Sequence, residues 1–206
     1  MAARGSIDTT GKARRNMTVN DIDTSPLPEA APAAPTPLTL DRLAGLTAEI
    51  AEEVRQGLHE IHFDAEERWS VRLRADDYTD VWLISWTPDQ STRLHDHAGS
   101  LGALTVVTGE LVEHHWDGGL RERILAEGEG GRFPLGHVHD VVNTSTAPAV
   151  SVHAYSPPLT AMHYYEVTDG GTLRRTGSIL TTDPEPDVPT LEAVPTASAE
   201  PEEGGR

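Results

Sequence analysis

Ten histidines occur in the chain, and four of them form two pairs with a single residue between: His95 and His97, then His137 and His139. On an extended strand, residues i and i+2 project to the same face, so each pair can aim two imidazoles at one point. Neutral imidazole is the commonest metal ligand, so this spacing points to coordination of a divalent ion. His114 and His115 are adjacent and face opposite ways, which is poor geometry for a shared ion. His59, His62 and His163 lack a partner at such spacing and are expected as ordinary surface or core residues. The first pair follows a turn-rich segment, Thr87-Pro88-Asp89-Gln90-Ser91, and precedes the small residues Ala98, Gly99 and Ser100. Its rings are therefore expected at a strand end, open to a cavity.

Composition narrows the chemistry further. The absence of cysteine removes disulfides, thiolate metal sites and thiol nucleophiles together. Lys+Arg total 16 against 33 Asp+Glu, a formal charge of −17, which is the wrong sign for a phosphate backbone. No nucleic-acid partner is expected. No run approaches the roughly 18 apolar residues of a membrane span, and the N-terminus lacks the apolar segment of a leader. A cytoplasmic protein with no membrane partner is expected.

The elements that must position the histidines lie between two polar ends. Residues 1–37, including the Pro- and Ala-rich stretch 24–37, and the acidic residues 183–206 offer too little apolar surface to offset chain entropy. They are expected as disordered tails around one folded domain at 38–182. Leu40, Leu43, Leu46, Ile50, Val54 and Leu58 recur at helical spacing, with Thr39 as an N-cap and Gly57 near the end. Asp64 followed by Glu67 has the form of a capping box and predicts a short second helix near 65–69.

From about residue 70 the period changes to that of strands. The segments 81–86, 102–107, 110–116, 137–142, 149–156 and 162–167 are short and rich in β-branched or aromatic residues. Turn residues separate them, among them Pro88-Asp89, Gly109, Gly118-Gly119, Gly128 and Gly170-Gly171. Many short strands behind a helical prelude predict a mainly β protein, an antiparallel barrel or jelly roll able to hold one small ligand.

Two dispersed patterns in this region resemble the motifs of the cupin superfamily. In the first, His95, His97 and Gly109 fall in place, with Asp89 at the opening glycine and Gly102 at the family's metal-binding glutamate. The second is complete in Gly128, Pro134, Gly136, His139 and Asn143. The resemblance implies a cupin β-barrel and takes His139, rather than His137, as the third ligand beside His95 and His97. It also implies a site with no carboxylate. Three neutral imidazoles leave the ion's charge uncompensated and as many as three positions open, which suits an anionic, chelating substrate. A thiolate with a neighbouring amine fits, leaving one position for O2.

Loss of that glutamate, together with the segments 94–113 and 139–158, is similar to the cysteine dioxygenase branch of the superfamily. The resemblance runs from about Arg72 to Val167. It implies Fe(2+) on His95, His97 and His139, and a relay of Ser151, His153 and Tyr155 on one strand face. With Gly102 and no cysteine, Tyr155 is expected as a free phenol, as in bacterial members. A cis bond is expected between Ser156 and Pro157.

In that branch an arginine ahead of the metal motif holds the substrate carboxylate. Arg68, Arg72 and Arg74 are the candidates here, and alignment of Trp82, Trp86 and His95 favours Arg72. The planar guanidinium suits a carboxylate. The branch that oxidises 3-mercaptopropionate tends to carry glutamine at this position, and no Gln occurs in 57–89. The implied reaction is oxidation of L-cysteine by O2 to cysteine sulfinate, in a monomer or small homo-oligomer. Another small thiol such as 3-mercaptopropionate, or a metal-binding cupin without turnover, are the alternatives; Asp89 at the glycine position weighs mildly for the last.

Overall fold

The computed structural model describes residues 37–184. The disordered tails expected at 1–37 and 183–206, apart from their innermost residues, lie outside the described residues. Helix α1 (Leu40–Arg55) begins where expected: the Thr39 side chain accepts from the Arg42 N–H, and Gly57 follows the C-terminus at φ +76°. Leu43, Ile50, Ala51 and Val54 are buried with Thr47, whereas Leu58 lies beyond the helix and is exposed. No second helix forms at 65–69. Asp64 Oδ1 accepts from the N–H groups of Glu66 and Glu67, as a cap would, but the chain only bends there. The segment is too short for a cap alone to offset the cost of helix nucleation.

The strands are β1 (Ser70–Ala75), β2 (Asp80–Trp86), β3 (His95–Asp96), β4 (Leu101–Thr108), β5 (Glu110–Trp116), β6 (Leu120–Ala126), β7 (Gly130–Phe133), β8 (His139–Val142), β9 (Ala149–Ser156), β10 (Ala161–Val167) and β11 (Leu173–Leu180). They form two antiparallel sheets, ordered β1-β2-β9-β4-β7 and β11-β10-β3-β8-β5-β6. This is the mainly β, double-stranded β-helix architecture of a cupin. Strands β1, β3, β6, β7 and β11 were not separately predicted. β6 and β11 are mostly exposed and carry little apolar alternation, and β3 has only two residues.

The central strands of the first sheet, β2, β9 and β4, are buried on both faces. Val81, Leu83, Ala103, Val107, Val150, Val152 and Ala154 pack under α1. Trp82, Ile84, Trp86, Leu104, Val106, Ala149 and Tyr155 point the other way, into the barrel with Leu111, Phe133, Val141 and Tyr164. Burying each Leu, Ile or Val side chain is worth about 1.5–3 kcal/mol. Thr47 on α1 and Thr105 on β4, both buried, satisfy each other at 2.8 Å. Strand β9 thus turns its small apolar residues toward the helix and Ser151, His153 and Tyr155 toward the interior.

The motif glycines serve the turns. Gly109, Gly128 and Gly136 all have φ between +76° and +81°. At Gly109 a Cβ would also stand 2.8 Å from the Pro148 carbonyl oxygen. Asp89 adopts φ +67°, so aspartate, which tolerates the left-handed region, keeps the turn that glycine would make. Its N–H donates to the Asn143 carbonyl at 2.9 Å. The buried Asn143 amide donates to the carbonyls of Trp86 and Ala147, tying the end of β8 to β2.

Candidate metal centre

His95 and His139 are directly paired residues of β3 and β8, and both are fully buried. His97 lies just past the end of β3, before a turn in which Ala98 takes φ +50°. The three rings converge, with centroid separations of 5.0 Å (His95–His97), 4.8 Å (His95–His139) and 5.2 Å (His97–His139). The Nε2 atoms of His95 and His97 approach to 3.2 Å, and one nitrogen from each of the three rings lies within 4.8 Å of the others.

The outer nitrogens of His95 and His139 are committed elsewhere. His95 Nδ1 bonds the Arg93 carbonyl at 2.7 Å, and His139 Nδ1 bonds Glu113 Oε1 at 3.1 Å. A ring that donates through Nδ1 keeps its Nε2 lone pair for a metal. His139 Nε2 is buried and has no hydrogen-bond partner. Burial pushes His139 down to about 4, against the pull of Glu113, so the ring is neutral near pH 7. A buried, unpartnered imidazole nitrogen facing two others is a donor set that fits a divalent ion.

Asp96, between the first two ligands, faces away and braces them. Its carboxylate accepts from the Ala98 N–H, from Tyr165 at 2.7 Å and from His163 at 2.9 Å. Burial and this bond push the Tyr165 hydroxyl up to about 12. His59 meets Glu53 at 3.1 Å and His62 is exposed, so the three histidines set aside as ordinary have no place in the triad. His114 bonds Asp140, whereas His115 stacks on His137.

Gly102 adjoins the triad and supplies no ligand. Across the two strand pairs that flank it stand Phe133 and Tyr155. The Phe133 ring lies 4.2 Å from His139, and the Tyr155 ring 4.8 Å from His97. Further along β9, Ser151 Oγ and His153 Nε2 are 2.9 Å apart, and Trp86 Nε1 donates to Ser151 Oγ at 2.9 Å. All three members of the expected relay are buried on the interior face. The Ser156–Pro157 bond is cis, as expected.

The structure separates the three arginines. A register shift between Arg72 and Arg74 turns Arg74 to the helix side, where it pairs with Glu53 at 2.7 Å. Arg68 stacks on Trp86 and donates to the Ser91 carbonyl. Arg72 is exposed on β1, in one register row with Trp82 and His153, and its guanidinium lies 5.2 Å over the Trp82 ring. Beneath it, Asp80 is buried and accepts from Trp82 Nε1 at 3.2 Å. Burial raises the Asp80 carboxyl, and the Arg72 charge moderates the rise.

Residues 51–168, more than half of the chain, match the family described as cysteine dioxygenase type I. The chain belongs to the cysteine dioxygenase type I family. Membership makes it a cupin oxidoreductase of the dioxygenase class, and the triad gives it a site able to hold the metal such enzymes require. Cysteine dioxygenase type 1 of Bos taurus is 28% identical over 147 residues, 59% of this chain and 73% of that one. Among solved structures, an uncharacterized conserved protein with a double-stranded β-helix domain from Klebsiella pneumoniae is 16% identical (68% of this chain, 96% of that one, TM-score 0.43). A cupin-superfamily sugar phosphate isomerase from Silicibacter pomeroyi is 25% identical (57% and 77%, TM-score 0.43).

Sequence reasoning missed Glu113, Arg123 and Phe133. Glu113 had a readable signal: it lies two residues after Leu111, so strand parity places both on the inner face of β5. No described helix is long and apolar enough to cross a membrane.

Proposed function

We propose that this protein oxidises L-cysteine with O2 to cysteine sulfinic acid, using Fe(2+) held by His95, His97 and His139. The observation that carries the reading is three convergent, buried imidazoles beside a glycine, with no carboxylate among them. Ferrous iron there would supply binding positions for the thiolate and amine of the substrate and for O2. Both oxygen atoms end on sulfur, and the thiol supplies the electrons, so no external reductant is consumed.

The chain's own groups bind and orient. Arg72 is assigned to the substrate carboxylate; its stacking on Trp82 and the buried Asp80 beside it support a fixed guanidinium plane. Tyr155, next to His97 and with no residue-102 side chain to modify it, is assigned as a hydrogen-bond donor to the reacting groups. His153 and Ser151 are assigned to its orientation, and Trp86 holds Ser151 in turn. Phe133 keeps the glycine side of the site apolar and excludes water. Asp89 no longer favours a cupin without turnover, because the turn it occupies retains the glycine conformation.

The test is an oxygen-electrode trace with protein loaded anaerobically with ferrous iron, with sulfinate identified by mass. Cysteine-dependent uptake with one sulfinate per O2 is expected, abolished in His139→Ala. Uptake with 3-mercaptopropionate but not cysteine would reassign the substrate, and no uptake with any small thiol would overturn the reading.

A further inference from the structure

Glu113 is a fully buried carboxylate that touches none of the substrate-facing groups named so far. Removing such a charge from water costs several kcal/mol unless partners surround it. Its partners are specific. Oε1 accepts from His139 Nδ1 at 3.1 Å and from His137 Nε2 at 3.0 Å. Oε2 accepts from Arg123 Nε at 3.0 Å and from a terminal nitrogen of the same guanidinium. Strand register imposes this convergence: Arg123 on β6 is the direct cross-strand partner of Glu113, and His139 on β8 pairs with His115, two residues further along β5.

A plain structural ion pair would explain one oxygen and one cation. It leaves unexplained why the other oxygen faces the ring of a triad member whose Nε2 has no partner. Binding of a second metal by Glu113, His137 and His139 is the competing use of the same atoms. It would set a divalent ion beside the Arg123 cation and would require His139 to lose both ring protons.

We propose that Glu113 is a positioning residue. It fixes His139 as the Nδ1–H tautomer with Nε2 directed at His95 and His97, and through that ring supplies the negative charge that three neutral ligands lack. Arg123 anchors the carboxylate, and His137 holds its second lone pair. The carboxylate absent at residue 102 is thereby present one bond further out, which leaves the coordination positions open. This inference rests on the reading that His95, His97 and His139 hold a divalent ion.

The experiment compares intact protein with Glu113→Gln and Arg123→Gln. Anaerobic titration with Fe(2+), and with Co(2+) as a spectroscopic probe, gives affinity and coordination. A 10–100-fold weaker affinity is expected for Glu113→Gln, the usual cost of losing such a partner. The reduction potential of its iron should rise, since the oxidised ion loses more from removal of a negative charge. Arg123→Gln, which removes the anchor of the carboxylate, should lose stability and weaken the affinity less than Glu113→Gln does. Unchanged affinity and potential in a folded Glu113→Gln would overturn the proposal. Should that variant fail to fold, nitrogen chemical shifts of His139 in the intact metal-free protein decide: a proton on Nδ1 supports the proposal, a proton on Nε2 overturns it. Two ions bound per chain would also overturn it, in favour of the second site. Failure of the triad reading is distinct: the intact protein would then bind no metal, and His95→Ala would change nothing.

Discussion

The Phe133 ring occupies the space into which a side chain at residue 102 would grow. A Cβ on Gly102 would meet Phe133 Cδ2 at 3.0 Å, and His97 Nδ1 and Tyr155 Cδ1 at 3.4 Å each. Phe133 is fully buried against His139 and His137, so it has little freedom to yield. Packing therefore favours glycine at residue 102.

Gly102→Ala is expected to cost about 1–3 kcal/mol through overpacking, seen as a lowered thermal midpoint. Most of that loss should be recovered in Gly102→Ala/Phe133→Leu, since the smaller side chain makes room. Equal stability of Gly102→Ala and the intact protein would show that the ring moves freely.

Removing a ring of the triad should remove the metal. His95→Ala and His139→Ala are each expected to lose metal by elemental analysis and at least about 10³-fold in O2 uptake, because two imidazoles in a buried site hold an ion weakly. His137→Ala removes a bond to the Glu113 oxygen and ring contacts with His115, Phe133 and His139 but no member of the triad, and should retain the metal.

Stability of the metal-free protein should depend on pH in a defined window. His139 is lowered to about 4 from 6.5, so the unfolded chain takes up the proton first. The stability due to its neutral form is complete above pH 6.5 and falls by about 1.4 kcal/mol per unit as the pH drops toward 4. Glu113 lies below its ordinary value because the bonds from His137 and His139 and the Arg123 charge outweigh burial. Its contribution is present above pH 4.5 and is lost as the pH falls further. Urea unfolding at pH 7, 5.5 and 4.5 measures the first window, and His139→Phe should flatten it.

The arginines should separate by phenotype. Arg72→Ala is expected to raise KM for cysteine about 10²-fold with a far smaller effect on cysteamine, which has no carboxylate. Arg74→Ala breaks a half-exposed pair with Glu53, so it should change stability little and leave turnover alone. Matching KM values for intact protein and Arg72→Ala would remove Arg72 from the site.

Local chemistry made much of this molecule legible from its residues. The leucine spacing and Thr39 defined α1, turn glycines marked the strand ends, and the alternation of β9 put Ser151, His153 and Tyr155 on one face. The histidine pairs pointed to a cluster of imidazoles, and His95, His97 and His139 do converge. What remained closed depended on contacts between segments distant in the chain. A bulge in β1 sends Arg72 and Arg74 to opposite faces although their spacing places them together. The pairing of β5 with both β6 and β8 brings Arg123, Glu113 and His139 into line, and the pairing of β4 with β7 sets Phe133 against Gly102. A sequence fixes parity within a strand, but register between strands follows from packing the whole barrel, and only that register decides which side chains meet.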